Sequence, residues 1–309
     1  MERVRSWVQR VYTRLLESEL SGVPSHVAVI QDGNRRYASK NGADPTEGHR
    51  EGAETTENVL EWCDELGVEE LTLYAFSTEN FNRPAEEREH LYDLIETKLT
   101  EFADADRVHE REVCIRAIGE THLLPDRVRE AIDYAERRTS GYDRLNLNVA
   151  LAYGGRAELL SAVREVGSEV EAGELAPEEI DVETVEDRLY EGPVRDVDLI
   201  IRTGGDERTS NFLPWYANGN EAAAYFCTPY WPEFRKVDFL RSIRTYESRK
   251  ESWRRTRARR ALALVRVLGE TEVTEARNVL SRFSDALPRG EREALDDNET
   301  ETDVETTAD

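Results

Sequence analysis

From Ser25 onward, short apolar runs alternate along the chain with longer segments in which apolar residues recur every three or four positions. The short runs are almost continuously apolar, which is typical of strands buried on both faces of a parallel sheet. The longer segments have the period of amphipathic helices. The alternation predicts an α/β fold, with a central, mostly parallel β-sheet flanked by helices. The predicted strands are His26–Gln31, Leu71–Phe76, Val113–Ile118, Leu145–Ala152, Val197–Arg202 and Ala222–Phe226, and the predicted helices lie near 46–66, 84–107, 126–139, 156–171 and 178–190.

The N-terminal residues 1–22 precede this alternating pattern and form a part of their own. Their apolar side chains recur at helical spacing, which predicts an amphipathic helix. This helix either packs on the main domain or presents a surface that touches a membrane. The residues on its apolar face are Val4, Val8, Val11 and Leu15.

Three further parts follow along the chain. Residues 23–248 contain the alternating pattern and are predicted to form the main domain. Residues 249–285 are predicted to be helical and are rich in Arg, so their basic face is either simply solvated or a surface for anionic lipid or a partner subunit. Residues 286–309 end in the acidic stretch DDNETETDVETTAD, which is almost free of apolar side chains, so we predict that this tail is disordered.

The charge of the chain restricts its ligands. A formal net charge of −24 over 309 residues argues against nucleic acid as a partner, because the summed field repels phosphate. Any anionic ligand must therefore be held by a local cluster of Arg or by a metal ion. The basic residues are nearly all Arg, since only Lys40, Lys98, Lys236 and Lys250 are lysines. This composition suits a protein that works in concentrated salt, although an ordinary acidic cytosolic protein is the alternative.

The cysteines and the N-terminus indicate where the protein works. Cys63, Cys114 and Cys227 are far apart and form neither a zinc pattern nor a disulfide framework, which favours a reducing cytosol. The N-terminus lacks the apolar core of a signal peptide. No apolar run approaches the roughly 20 residues of a membrane span. We therefore expect a cytoplasmic protein.

The first cluster of polar residues directly follows the first predicted strand. Gly33 leads into a helix whose N-terminus offers free N–H groups to a phosphate, and Arg35 and Arg36 add bidentate donors. Asp32 would repel that phosphate unless a divalent cation lay between them, and Mg²⁺ is commonly held by one or two carboxylates together with substrate phosphates. The alternative is that Asp32 only caps the next helix.

A second cluster follows the second predicted strand. This polar loop, which also contains an aromatic residue, suits a polar head group with an apolar tail, or else it is a loop of ordinary turn-forming residues. Pro84 then opens the next predicted helix. The residues of the loop are Ser77, Thr78, Glu79, Asn80, Phe81, Asn82 and Arg83.

A third cluster follows the strand that ends at Arg202. A glycine turn separates Arg202 from Arg208 and Ser210, and two arginines and a hydroxyl around such a turn indicate a second phosphate site. The sequence lacks the Walker A pattern. Glu221 precedes the last predicted strand and is a candidate second metal ligand. Because parallel strands end at one edge of a sheet, the three clusters predict a single site for two diphosphates and one Mg²⁺.

Four segments of the chain resemble the ordered motif series of the cis-prenyltransferases, the family of undecaprenyl and dehydrodolichyl diphosphate synthases. The series extends over residues 25–235, and it is far more specific than any one motif. The acidic, lysine-poor composition suggests an archaeal, haloarchaeal member. The four segments are HVAVIQDGNRRYA, GHREGA, LYAFSTENFNRP and DVDLIIRTGGDERTSNFLPW.

The resemblance implies roles for individual residues. Asp32 corresponds to the family's Mg²⁺-binding and catalytic aspartate, Asn80 to a catalytic polar group, and Glu221 to a second Mg²⁺ ligand. The other implied residues bind substrate. Those at the allylic diphosphate are Gly33, Asn34, Arg35, Arg36, Tyr37 and His49, those of the substrate loop are Ser77, Thr78, Glu79, Phe81 and Arg83, and those for isopentenyl diphosphate are Arg202, Arg208, Thr209 and Ser210.

The resemblance also implies a reaction. The enzyme would condense isopentenyl diphosphate sequentially onto an allylic primer, geranylgeranyl diphosphate in an archaeal member. The product would be a long-chain, undecaprenyl-type polyprenyl diphosphate, the precursor of a glycosyl-carrier lipid. It would extend into an apolar cleft, for which the helix in 84–107 offers either a wall or plain core. The D-D-x-x-D motifs of trans-prenyltransferases are absent.

The chain departs from the family pattern at several positions. Pro45 stands where bacterial members often have Arg, and Tyr37 and Phe81 stand where they have Trp. The C-terminal Arg-x-Gly motif, which reaches across a dimer in many members, is absent from residues 249–253.

The family implies a homodimer with peripheral membrane contact for its product. The missing Arg-x-Gly motif leaves room for a different partner subunit. The competing hypothesis is a non-catalytic subunit that activates a paralogue, but such subunits tend to lose the aspartate and the arginines that this chain keeps.

Overall fold

The computed structural model describes residues 13–189, 195–217 and 222–250. The chain separates after Tyr246 into two compact units, and the sheet with its flanking helices belongs to the first of them. The predictions for residues 1–12, for Glu221 and for residues 251–309 lie outside the described residues, and the division of the chain into four parts stays a prediction.

In the described part of the chain, six strands form one sheet in which every neighbouring pair is parallel. Their spatial order is β3-β4-β2-β1-β5-β6. This arrangement confirms the predicted α/β fold with a central parallel sheet. The strands are β1 (His26–Ile30), β2 (Glu70–Ser77), β3 (Val113–Ile118), β4 (Leu145–Tyr153), β5 (Leu199–Arg202) and β6 (Ala223–Phe226).

Helices cover both faces of the sheet. Successive residues of β1 point to opposite faces, so that Val27 and Val29 join one buried hydrophobic cluster while Ala28 and Ile30 join another. The helices are α1 (13–19), α2 (Asn34–Lys40), α3 (Pro45–Leu66), α4 (Ala85–Asp104), α5 (Asp106–Glu110), α6 (Asp126–Thr139), α7 (Gly155–Ala172), α8 (Val182–Glu186) and α9 (236–250). The first cluster includes side chains of α3, α4 and α6, and the second includes side chains of α7.

Two predicted helices differ from the observed ones. The helix predicted over 84–107 breaks at Ala105, whose backbone is extended, and continues as the separate α5. The helix predicted over 178–190 is reduced to α8, because the Asp181 carboxylate accepts a hydrogen bond from the Thr184 backbone N–H (2.8 Å) and starts the helix only at residue 182.

The described part of the N-terminal helix also differs from its predicted pattern. Leu15, which the helical spacing places on the apolar face, is 52% exposed, whereas its neighbour Leu16 is buried at 2%.

Within the residues that the structure describes, none of the helices is both long and apolar enough to cross a lipid bilayer.

The strand order locates the crevice that positions the candidate site. β1 has β2 on one side and β5 on the other, and the chain reaches β5 only after completing the β2, β4 and β3 half of the sheet. The connections therefore run in opposite directions from β1 and β5. In open parallel sheets, such a reversal leaves a crevice at the carboxyl ends of the two strands, where ligands bind.

Candidate active site

Asp32 lies in this crevice, two residues beyond β1. Its carboxylate contacts the guanidinium of Arg202 (Oδ2 to Nη2, 2.7 Å) and that of Arg36 (Oδ1 to Nη2, 2.9 Å). Its backbone is fixed by Thr203, whose hydroxyl donates to the Asp32 carbonyl (2.7 Å). Burial alone would raise the pKa of Asp32, but the hydrogen bond from Arg202 and the charge of Arg36 hold the pKa below its ordinary value. Asp32 is therefore ionised near neutral pH.

Gly33 makes the turn that carries the chain from Asp32 into α2. Its φ of 104° lies in the left-handed region that favours glycine. A Cβ at this position would come within 2.6 Å of the Tyr230 ring. The same ring lies under Arg36, whose Cζ is 5.5 Å from its centroid. Tyr230 therefore supports both the turn and one of the arginines beside Asp32.

Arg202 is the last residue of β5, and its side chain is only 4% exposed. Its Nη1 donates to the Arg208 carbonyl oxygen (2.7 Å) and to the Ser210 hydroxyl. Its Nη2 contacts both Asp32 and Asp206, the latter at 3.2 Å. Asp206 in turn pairs with the guanidinium of Arg208 (2.9 Å). The buried charge of Arg202 is thus held between two carboxylates.

The loop that carries Arg208 and Ser210 is held in an unusual backbone conformation. Ser210, Asn211 and Leu213 all have positive φ, at 48°, 61° and 48°. A positive φ in a residue other than glycine raises the free energy of the backbone, and such a conformation persists only where the surrounding structure holds it. The N-terminus of α7 does so, since the backbone N–H of Gly155 donates to the Asn211 carbonyl (3.0 Å) and that of Arg156 to the Asn211 side chain (3.0 Å).

The loop after β2 faces the same crevice. It forms a 3-10 turn over Thr78–Asn82, in which the Ser77 backbone N–H donates to Asn80 Oδ1 (2.9 Å). Arg83 follows this turn and pairs with Glu87 at 2.7 Å. Glu87 also lies 3.6 Å from Arg35 of α2. One carboxylate of α4 therefore holds arginines from two separate elements.

His49 of α3 completes the polar part of the site. Burial lowers its pKa to about 4, and the charge of Arg83 acts in the same direction, so the ring is neutral at pH 7. Its Nε2 is buried without a hydrogen-bond partner, as are Oδ1 of Asn34 and Nε of Arg202. All three residues line one cavity. Buried polar atoms without partners are uncommon, and a polar ligand in the cavity would satisfy them.

The cavity has a volume of about 410 Å³ and is lined by two kinds of side chain. One kind is charged or polar and includes the arginines, Asp32 and residues of the loop after β2. The other kind is apolar and comes largely from α4 and from strands β2, β3 and β4, although Lys98 of α4 also lines the cavity. The leucine, isoleucine, valine and phenylalanine side chains from these elements are Leu73, Leu91, Leu94, Ile95, Leu99, Phe102, Ile115, Leu147 and Val149.

The structure brings most of the predicted site residues to this cavity. Gly33 and Arg36 do not line it. Gly33 directly follows Asp32 in the chain, and Arg36 pairs with the Asp32 carboxylate. The eleven predicted residues that line it are Asp32, Asn34, Arg35, His49, Ser77, Glu79, Asn80, Arg83, Arg202, Arg208 and Ser210.

Four other predicted residues also lie outside the cavity lining. The Tyr37 hydroxyl donates to Glu51 (2.7 Å). Thr78 lies against Gly154. The Phe81 ring packs edge-on against Phe76, with centroids 5.1 Å apart. The Thr209 carbonyl accepts from the Phe212 backbone in the strained loop.

Several residues that matter to the site were missed in the sequence. Glu87 and Asp206 each follow an arginine of the site by four positions, and this spacing could have been noticed. Tyr230 and Trp231 carry no such signal. Trp231 donates its backbone N–H to the Asp32 carbonyl (3.0 Å) and its ring N–H to Gly52 (2.7 Å), so it ties the crevice to α3.

The donor set of the site fits a divalent cation that is shared with a phosphate ligand. Within the described ranges, no group of three or more His, Cys, Asp or Glu side chains is gathered to hold a metal alone. Mg²⁺, however, needs only one or two carboxylates when phosphate oxygens and water complete its octahedron. Asp32, ionised and at the cavity, offers such a carboxylate.

Fold and site together define a class of protein. A switch-point crevice with arginines and an ionised aspartate, at a cavity that apolar side chains also line, suits a ligand with an anionic head and an apolar part.

Comparisons with known proteins agree with this class. The family model described as "Putative undecaprenyl diphosphate synthase" matches residues 30–254. The chain is 69% identical to proteins from Haloarcula marismortui, over 93% of this chain and 94% of the relative, and Halobacterium salinarum, over 93% and 95%. A relative from Methanosarcina mazei is 50% identical over 82% and 87%. All three are named tritrans,polycis-undecaprenyl-diphosphate synthase (geranylgeranyl-diphosphate specific).

Solved structures of the same fold are also similar. Lavandulyl diphosphate synthase from Lavandula x intermedia, in complex with dimethylallyl diphosphate, matches with a TM-score of 0.66 and 31% identity over 72% of this chain and 95% of its own. A probable undecaprenyl diphosphate synthase from Campylobacter jejuni matches with a TM-score of 0.59 and 32% identity, over 74% and 96%. The chain belongs to the undecaprenyl diphosphate synthase family, and it is a prenyltransferase.

Proposed function

We propose that this chain condenses isopentenyl diphosphate repeatedly onto geranylgeranyl diphosphate, with a cis double bond formed at each step. The product is a long-chain polyprenyl diphosphate of the undecaprenyl type, which serves as the precursor of a glycosyl-carrier lipid. The observation that carries this proposal is a cavity that is lined both by the charged residues Asp32 and Arg202 and by apolar side chains of α4. The names of the haloarchaeal relatives support the choice of primer and product.

The allylic diphosphate is assigned to the side of the crevice formed by α2 and the loop after β2. Arg35 and Arg83 line the cavity beside Asn80 and offer guanidiniums to its oxygens, and Arg36, which is paired with Asp32 outside the lining, is expected to bind the same diphosphate. Glu87 holds two of these arginines in place before the substrate binds. Positive charge that is already positioned stabilises the diphosphate as it departs, without reorganisation during the reaction.

Asp32 is the residue that would hold Mg²⁺ at this diphosphate, and Glu221 is the second expected ligand. When bound, the ion neutralises charge on the leaving diphosphate oxygens. Asp32 is suited to this because its low pKa keeps it ionised.

Isopentenyl diphosphate is assigned to Arg202, Arg208 and Ser210 at the end of β5. Its double bond then attacks the allylic carbon, the bond from that carbon to the diphosphate breaks, and a proton is lost from the isopentenyl unit. His49 is neutral at neutral pH, so it contributes a hydrogen bond to the site rather than a charge. The apolar side chains of α4 receive the growing chain and keep water from it.

We further propose that the protein acts as a homodimer with peripheral membrane contact for its product. Leu160 and Val163 lie one turn apart on the exposed face of α7, at 55% and 60% exposure, and offer an apolar surface for a second copy. Light scattering would test this, with Leu160→Lys expected to yield monomers.

The proposed reaction is tested by incorporation of labelled isopentenyl diphosphate. Purified protein would be supplied with Mg²⁺ and with farnesyl or geranylgeranyl diphosphate as separate primers, at low and at multimolar KCl. We expect long cis products, with geranylgeranyl diphosphate the preferred primer and the highest activity in concentrated salt. Folded protein that incorporates nothing with either primer would contradict the proposal and favour the non-catalytic subunit.

A further inference from the structure

One carboxylate oxygen in the site occupies the position of an anion between two arginines. Oδ2 of Asp206 lies 3.2 Å from Nη2 of Arg202 and 2.9 Å from Nη2 of Arg208. A single oxygen that bridges two guanidiniums is the geometry with which a phosphate oxygen is bound at an arginine pair.

The two arginines differ in what they would lose without this carboxylate. Arg202 is 4% exposed, and a buried guanidinium that lost its partners would be strongly unfavourable. Arg208 is 67% exposed, so without a partner its side chain would be free to take many conformations. Asp206 contacts both guanidiniums, and for Arg202 it shares this role with Asp32. Its own side chain is 33% exposed and lies in a surface loop, so it can move away.

We propose that Asp206 is an internal substitute for the diphosphate of isopentenyl diphosphate, which must displace it in order to bind. The carboxylate keeps Arg202 and Arg208 in their binding positions and at the same time competes with the incoming diphosphate for them. This inference rests on the proposed function, because it assumes that these arginines bind a diphosphate. The proposal therefore predicts that removal of the charge of Asp206 strengthens substrate binding.

The chain offers a matched control for the test. Glu207 is the next residue, it is exposed, and the structure gives it no ion pair with the described residues. Glu207→Gln changes the net charge beside the site by the same amount as Asp206→Asn. A difference between the two variants therefore reports the specific contacts of Asp206 rather than the local field.

The experiment is calorimetric titration of the full-length protein with isopentenyl diphosphate and no primer, in EDTA and at one fixed KCl concentration. We expect Asp206→Asn to bind isopentenyl diphosphate about three- to tenfold more tightly than the wild type, and Glu207→Gln to change affinity by much less, in keeping with the strength of partly exposed ion pairs. In steady-state assays, the KM for isopentenyl diphosphate should fall for Asp206→Asn while the KM for the allylic primer stays the same.

Unchanged or weaker binding of isopentenyl diphosphate by Asp206→Asn would overturn the inference and make Asp206 a support for its arginines. If that variant does not fold, Asp206→Ser is judged by the same criterion. Arg208→Ala separates the inference from the proposed function. If Arg208→Ala binds isopentenyl diphosphate as well as the wild type does, the assignment of the site itself has failed. Weak binding by Arg208→Ala without tighter binding by Asp206→Asn removes only the role of Asp206.

Discussion

The carboxylate of Asp32 and the guanidinium of Arg202 lie 2.7 Å apart although they are 170 positions apart in sequence. They meet because β1 and β5 are neighbours in the sheet and end at the same edge. Each arises from a different half of the chain, and each belongs to a different predicted phosphate cluster. Their contact therefore joins the two clusters into one site and fixes both groups before substrate arrives.

Asp32→Asn should lower turnover by at least about 10²-fold, in line with the loss of one group that stabilises a transition state. The amide keeps the shape of the side chain and still accepts a hydrogen bond from Arg202, so the fold should be retained. The measurement is incorporation of labelled isopentenyl diphosphate, with thermal unfolding as the check on folding. Asp143→Asn, at an exposed loop position, is the control. Turnover of Asp32→Asn close to that of the wild type would contradict the metal role of Asp32.

Asn211→Ala should raise the KM for isopentenyl diphosphate several-fold and leave the KM for the allylic primer almost unchanged. The substitution removes the hydrogen bond from the Arg156 backbone and puts alanine at a φ of 61°, which Asn tolerates better. The loop that carries Arg208 and Ser210 then loses its anchor. Asn211→Asp keeps both the acceptor and the tolerance of positive φ, so it should restore most of the affinity. Equal changes in both KM values would point to general damage.

Ile95→Trp should shorten the products, because the larger side chain takes up space in the cavity that Ile95 lines. The first condensation takes place beside Asp32 and should be little affected. Chromatography of the extracted polyprenols measures the chain lengths. Thr97→Trp, at an exposed position of the same helix, is the matched control and should leave the lengths unchanged. Products of normal length from Ile95→Trp would show that the chain grows elsewhere.

His49 should make the protein less stable in acid. Its pKa is about 4 in the folded protein against an ordinary value of 6.5, so between these values the unfolded chain binds a proton that the folded protein does not. Stability is therefore lost as the pH falls through this range, by about 3 kcal/mol at most. The lowered pKa of His26 acts in the same direction in every variant. Urea unfolding at pH 7 and pH 4.5 should show a smaller loss for His49→Gln than for the wild type, and an equal loss would contradict the account.

The strands were predictable because their burial on both faces leaves a continuous apolar signal, and all six appear within two residues of their predicted bounds at each end. Helix ends were less predictable. The late start of α8 depends on capping by Asp181, and the break at Ala105 comes from an extended backbone that has no side-chain cap. The phosphate clusters could be found because glycine turns and arginines directly follow strands.

The pairing within the site could not be predicted in the same way. That Asp32 contacts Arg202, and that Tyr230 lies against Gly33, depends on the order of strands in the sheet. Sequence spacing contains no information about that order. The arginine–carboxylate pairs within one segment are the part that a closer examination of the sequence could have found, and they are Arg83 with Glu87 and Arg202 with Asp206.

The most direct test of the central claim is a crystal structure of this chain with Mg²⁺, isopentenyl diphosphate and a non-cleavable analogue of geranylgeranyl diphosphate. The account predicts the allylic diphosphate and the metal at Asp32, the second diphosphate at Arg202 and Arg208, and the hydrocarbon chain along Leu94 and Ile95 of α4. Diphosphates bound away from the β1–β5 crevice, or a hydrocarbon chain outside this cavity, would contradict it.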